Sequence, residues 1–172
     1  MQRSKISVAL IGAGRAGMIH ARNFKGSVPN ARITAVCDPV ESAAASAAEE
    51  LELDRYFTDY REIMSLKDVD AVIIATPTKY HCEIVEAAAC AGKHILCEKP
   101  MAMTVEECNL MDAAAKKNGV ILQIAFMRRF DTSFKAAKAM VDAGEIGDVV
   151  MVRSNTRGPS IPKPWMYDIR KS

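Results

Sequence analysis

The chain has 172 residues, 49% hydrophobic and 26% charged, and its 23 basic and 21 acidic side chains leave a formal net charge of +2. A chain of this length buries roughly 70% of its unfolded surface, and its glycine and proline content is too low for a collagen-like or low-complexity polymer, so one ordinary domain plus a remainder is expected. With no basic stripe, no apolar stretch near the ~20 residues of a membrane span and no leader-like segment before the first glycine turn, nucleic acid and membrane partners are not expected and a cytoplasmic location is.

Short apolar runs alternate with longer amphipathic ones up to about residue 126. In chain order, strands are predicted at Ile6–Ile11, Ile33–Cys37, Ala71–Ala75, His94–Cys97 and Val120–Ala125, with a short one at Tyr56 and Phe57. Helices are predicted between them, at Ala16–Lys25, Ser42–Glu50, Tyr60–Met64, Cys82–Ala91 and Val105–Lys117. Nearly continuous apolar strands separated by helices pair in parallel with both faces covered, which makes this a Rossmann-type, doubly wound α/β sheet. Thr104 with Glu107 reads as a capping box, and Asn118 with Gly119 as the stop of the same helix.

Beyond Ala125 the pattern changes. Phe126-Met127-Arg128-Arg129-Phe130 leads into a predicted helix, Asp131–Ala143, with Phe134, Ala137 and Val141 on one face. A strand is predicted at Val149–Val152, and the proline-rich run from Gly158 onward is no regular element. One helix, one strand and such a run do not complete a domain, so residues 127–172 are expected to open a truncated C-terminal α+β domain after a first domain over 1–126. The apolar face around Phe134 and Val149–Val152 offers a surface for a homo-oligomer. The five cysteines lack metal-site spacing and lie mostly in apolar elements, so they are read as reduced thiols without a metal.

Gly12, Gly14 and Gly17 form G-x-G-x-x-G between the first strand and the first helix, the context in which that spacing is informative. Gly12 permits the tight turn, Gly14 lets backbone approach a pyrophosphate, and Gly17 lets the helix pack closely; the N–H groups of Arg15, Ala16 and Gly17 open the helix toward an anion. The Arg15 side chain fits either beside the pyrophosphate or in solvent at the helix start. Asp38 lies 21 residues beyond Gly17 at the end of the second strand, where a carboxylate accepts the ribose hydroxyls. Pro39-Val40-Glu41-Ser42 supplies no cation for a 2′-phosphate, so NAD is favoured over NADP.

The fourth strand runs into Ala75-Thr76-Pro77-Thr78-Lys79-Tyr80-His81, and the fifth into Cys97-Glu98-Lys99-Pro100-Met101-Ala102. Both segments leave the carboxyl ends of their strands, where ligands of open α/β sheets bind. Thr76 and Pro77 would form a compact turn beside the cofactor, Lys99 would bring an ammonium to it, and Glu98 would orient that lysine. His81 is a plausible contact at this edge, whereas His20, inside the first helix, and His94, inside a strand, read as structural.

With GAGRAG and Asp38, ATPTKYH, CEKPMA, and FMRRFD followed by GEIGDV, the chain resembles the glucose-fructose oxidoreductase, inositol dehydrogenase and MocA family of NAD(P)-dependent sugar and polyol oxidoreductases. The resemblance spans essentially the whole chain, and EKP after the fifth strand is its most specific part. It implies that Lys99 belongs to the catalytic set, that Thr76, His81, Glu98 and Pro100 line or shape the nicotinamide side, and that Arg128 lies near the substrate pocket. It further implies hydride transfer between a secondary alcohol and the nicotinamide, with inositol dehydrogenases the nearest in FMRRFD. The family's catalytic Asp and His come from a later segment than any matched here, so the chain is expected to bind cofactor without being competent alone. Two rivals stay open. A non-catalytic NAD-sensing domain leaves EKP and FMRRFD without a reason, and a methyltransferase would place an acidic residue in the first strand, where Val8–Ile11 offers none.

Overall fold

In a computed structural model, the structure describes residues 5–155 and Asp168. Six parallel strands, β1 (Ile6–Ile11), β2 (Ala31–Cys37), β3 (Tyr56–Phe57), β4 (Ala71–Ile74), β5 (His94–Cys97) and β6 (Leu122–Ile124), form one sheet in the order β3-β2-β1-β4-β5-β6. Helices α1 (Arg15–Ser27), α2 (Glu41–Leu51), α3 (Tyr60–Ser65), α4 (His81–Cys90) and α5 (Val105–Asn118) connect them. The chain doubles back between β1 and β4, so the order reverses there and a crevice opens at the carboxyl ends of the two central strands.

The strands of the middle are apolar on both faces because both faces are covered. In β1, Val8 and Leu10 join Met18, Ala21, Ala47 and Ile73 in one core, while Ala9 and Ile11 point the other way to Ile63, Val85 and Met111. A register shift between Val8 and Ala9 leaves Thr34 of β2 outside the Cα pairing of the two strands. Three helices start on a side-chain cap: Asp59 for α3 and Thr104 for α5 each accept one backbone N–H, while Asp131 accepts two at the start of α6 (Thr132–Asp142). The reciprocal arm of the α5 cap differs from a standard capping box, because the Glu107 carboxylate accepts the N–H of Met103, one residue before Thr104. The helix α1 has no side-chain cap and no acidic residue in its first turn.

The chain divides into two compact units, Met1–Ala125 and Phe126–Ser172. Within the second, a 3-10 turn at Met127–Arg129 precedes α6. The predicted strand at Val149–Val152 is absent: these residues are irregular and exposed, between 48% and 95%. An apolar run becomes a strand only where a neighbour takes its backbone hydrogen bonds, and none of the described residues does so here. The predicted helix forms, but its Phe134, Ala137 and Val141 face is not buried, and no described residue from 126 onward is. The proline-rich run from Gly158 lies outside the described residues except for Asp168.

Candidate functional site

The glycine turn meets two opposite demands at the mouth of the crevice. Gly12 adopts φ +98°, a region an L side chain rarely enters, and a Cβ there would lie 2.7 Å from the Ala75 carbonyl. A Cβ on Gly17 would lie 1.9 Å from the Gly12 carbonyl oxygen and 3.2 Å from Leu10 Cδ1, so the first turn of α1 rests directly on the loop. At Gly14 a Cβ meets nothing within 4 Å. That open side, together with the start of α1, which has no side-chain cap among the described residues and directs its first N–H groups outward, has the features a pyrophosphate cradle requires. Arg15 and Ala16 are exposed at the same helix start.

Asp38 follows β2 and grips the turn from the side. Its Oδ2 accepts the Ala13 N–H at 2.9 Å and its Oδ1 accepts the Val40 N–H at 2.9 Å. Each carboxylate oxygen retains a second acceptor position, enough for a pair of vicinal hydroxyls. Thus Asp38 shapes the glycine loop in addition to presenting acceptors beyond it.

The loops after β4 and β5 are held together by His81. The ring is 1% exposed, with Nε2 2.9 Å from the Thr76 carbonyl oxygen and Nδ1 3.0 Å from that of Pro100. This corrects the expectation of a direct cofactor contact: both ring nitrogens face backbone oxygens, so His81 is a brace between the two loops. Thr76 Oγ1 is buried without a hydrogen-bond partner among the described residues, and Pro77 is exposed beside it. Lys99 and Pro100 are exposed and joined by a cis peptide bond.

Glu98 reaches Lys99 through the backbone N–H. One carboxylate oxygen lies 2.8 Å from His20 Nε2 of α1, and the other accepts the backbone N–H of Lys99 at 3.0 Å. His20 is therefore the residue at this edge that sequence reasoning set aside as structural; the available signal is its position three residues after Gly17, on the same side of α1. His94, by contrast, accepts the Ile121 N–H through Nδ1 and belongs to the sheet. Arg128 lies in the second unit, with its guanidinium 3.3 Å from Asp131 and 5.2 Å from the centre of the Phe134 ring.

Thiol chemistry has no support at this edge. Burial pushes the Cys37 and Cys97 thiols up to about 12 and Cys82 to about 11, which keeps them protonated and poorly nucleophilic near neutrality. Among the described residues no group of three His, Cys, Asp or Glu side chains is placed to hold a metal ion, and no helix is long and apolar enough to cross a membrane.

The residues present fit a dinucleotide: a cradle left open at Gly14, acceptors at Asp38, and an orphaned buried hydroxyl at Thr76. Comparison with known proteins gives the same answer. The scyllo-inositol 2-dehydrogenase (NAD(+)) of Bacillus subtilis is 39% identical over 158 residues, covering 92% of this chain and 46% of that protein. The myo-inositol 2-dehydrogenase of Thermotoga maritima is 37% identical over 160 residues, covering 93% and 47%. Among solved structures, scyllo-inositol dehydrogenase from Lactobacillus casei with bound NAD(H) and scyllo-inositol matches with a TM-score of 0.80 and 34% identity, over 84% of this chain and 43% of that one. The chain thus spans just under half the length of these relatives. A family model described as an oxidoreductase family with an NAD-binding Rossmann fold matches residues 6–126, and the chain belongs to that family, the one of glucose-fructose oxidoreductase, inositol dehydrogenase and MocA.

Proposed function

We propose that this chain is the cofactor-binding half of an NAD-dependent dehydrogenase that oxidises a secondary alcohol of a polyol, with cyclic polyols of the inositol class as its substrates. The observation that carries the proposal is that the open Gly14 cradle, the Asp38 carboxylate and the exposed Lys99 all follow the carboxyl ends of strands of one sheet, β1, β2 and β5. Gly12, Gly14 and the N–H groups of Arg15, Ala16 and Gly17 would receive the pyrophosphate, and Asp38 the adenine ribose. Thr76, Pro77 and Pro100 would line the nicotinamide side, with Glu98 and His81 holding the loops that carry them. NAD is favoured over NADP because Asp38 and Glu41 stand where a 2′-phosphate would need a cation.

When bound, NAD supplies the acceptor for the hydride that leaves the alcohol carbon. Lys99 would hold the reacting hydroxyl oxygen and stabilise the negative charge that grows on it as the proton departs. Its ammonium has no hydrogen-bond acceptor among the described residues, so it need not break a bond to take up that role. The relatives named above act on inositols, which supports the substrate class, and the resemblance puts the proton-accepting Asp and His in a later segment than any matched here.

Calorimetric titration of the 172-residue chain with NAD and with NADP, paired with a turnover assay on myo- and scyllo-inositol, tests the reading. The expected result is saturable NAD binding, NADP weaker by about tenfold or more, and negligible turnover. Absence of NAD binding would overturn the cofactor role. Turnover would show that a proton acceptor lies within this chain and would overturn the division of labour.

A further inference from the structure

We infer that His20 is a positioning residue for Lys99, acting through Glu98. This rests on the proposed role of Lys99, and the contacts that carry it stand independently of it. A carboxylate only accepts hydrogen bonds, so the 2.8 Å contact requires His20 Nε2 to carry its proton and donate it to Glu98 Oε1. The second oxygen, Oε2, accepts the Lys99 N–H at 3.0 Å. The carboxylate is thus a bridge with α1 on one side and the β5 loop on the other. The His20 and Glu98 side chains are 22% and 16% exposed, well enough shielded for their contact to be stronger than an open surface pair.

Two consequences follow for Lys99. Its backbone is tied to α1, whose first turn packs so closely on the glycine loop that a Cβ on Gly17 would lie 1.9 Å from the Gly12 carbonyl oxygen, so the glycine turn and the lysine share one reference frame. Its ammonium is also kept free. Glu98 is the adjacent carboxylate, and the His20 contact orients it toward α1; released from His20, it could turn to pair with the lysine beside it and draw the ammonium away from a substrate oxygen. His20 therefore sets both where Lys99 starts and what it does not bind.

The test uses the 172-residue chain, with nuclear magnetic resonance read at Lys99. His20→Ala is expected to speed exchange of the Lys99 amide hydrogen about tenfold, the loss of one charge-assisted hydrogen bond, while amides in β1 and β4 are unchanged. His20→Gln, whose side-chain amide also donates, is expected to restore most of the protection. On addition of NAD, the Lys99 Cε signal is expected to shift in the parent chain and not in His20→Ala, with the NAD affinity itself changed less than about threefold. Parent-like Lys99 amide exchange and Cε response in His20→Ala would overturn the inference. If the parent chain binds no NAD, the proposed function falls and the amide measurement in the unliganded chain decides the positioning role alone. Should His20→Ala not fold, Glu98→Ala removes the carboxylate on which both contacts converge and is expected to give the same loss of Lys99 amide protection; unchanged exchange there overturns the inference equally.

Discussion

A methyl group added at Gly17 would sit 1.9 Å from the Gly12 carbonyl oxygen, whereas one added at Gly14 meets nothing within 4 Å. Gly17→Ala is therefore expected to destabilise the chain by at least about 3 kcal/mol, because the atom it strikes is backbone and cannot move aside without distorting the turn. Gly14 has φ −71°, which alanine adopts readily, so Gly14→Ala is expected to leave stability within about 0.5 kcal/mol and to weaken NAD by filling the cradle. Urea unfolding and calorimetry on the two variants separate these outcomes. Asp38 combines both kinds of role, since it ties Ala13 and Val40 and also presents acceptors outward. Asp38→Ala is expected to weaken NAD by about tenfold or more in the same titration, and unchanged affinity would remove it from the ribose. The glycine spacing and Asp38 were legible in the sequence because a turn between strand and helix imposes local geometry. The occupations of His81 and Glu98 were not, because their partners lie on other elements: Thr76 and Pro100 for His81, and His20, 78 residues away, for Glu98.

Elements of the first unit were readable from periodicity to within a residue or two, and the Thr104 cap and Gly119 stop of α5 from composition, while the Asp59 cap of α3 emerged only in the structure. What periodicity does not reveal is how one element is fastened to the next, and Lys93 is the clearest case. It precedes β5, is 4% exposed, and its ammonium donates to the carbonyl oxygens of Leu66 and Val69 at 2.7 and 3.0 Å, tying β5 to the turn between α3 and β4. Lys93→Met would leave both oxygens without that donor and is expected to cost about 1–3 kcal/mol in urea unfolding. Burial lowers the Lys93 pKa below its ordinary 10.5, against the opposing charges of Asp68 and Asp70. The unfolded chain then binds more protons than the folded one in the window immediately below 10.5, so the lysine makes stability rise with pH there. The Met variant is expected to lose that part of the slope, measured as the urea midpoint against pH. Lysine after a helix stop looks like a solvated side chain in sequence; only the fold of the α3–β4 turn around it makes it a fastener.

At the scale of the molecule, every buried residue among those described lies in the first unit. A core of that kind holds without the second unit, so a chain of residues 1–125 is expected to unfold cooperatively and to keep NAD affinity within about threefold of the 172-residue chain. Loss of cooperative unfolding in that shorter chain would show that the second unit contributes to the core. By itself the sequence determined the parallel sheet and the kind of cofactor, and it marked the proposed dinucleotide edge, because each is encoded within a few neighbouring residues: apolar runs without alternation, three glycines at fixed spacing, an acid one strand later. It also carried α6, whose Asp131 cap and helical period are local, but it misled at Val149–Val152, where apolar content suggested a strand and none forms. Tertiary structure decided the rest. Strand formation, the brace at His81, the His20–Glu98–Lys99 bridge and the burial of Lys93 all depend on which distant segment supplies the partner, and hydrogen bonds between remote residues leave no period in the sequence that makes them.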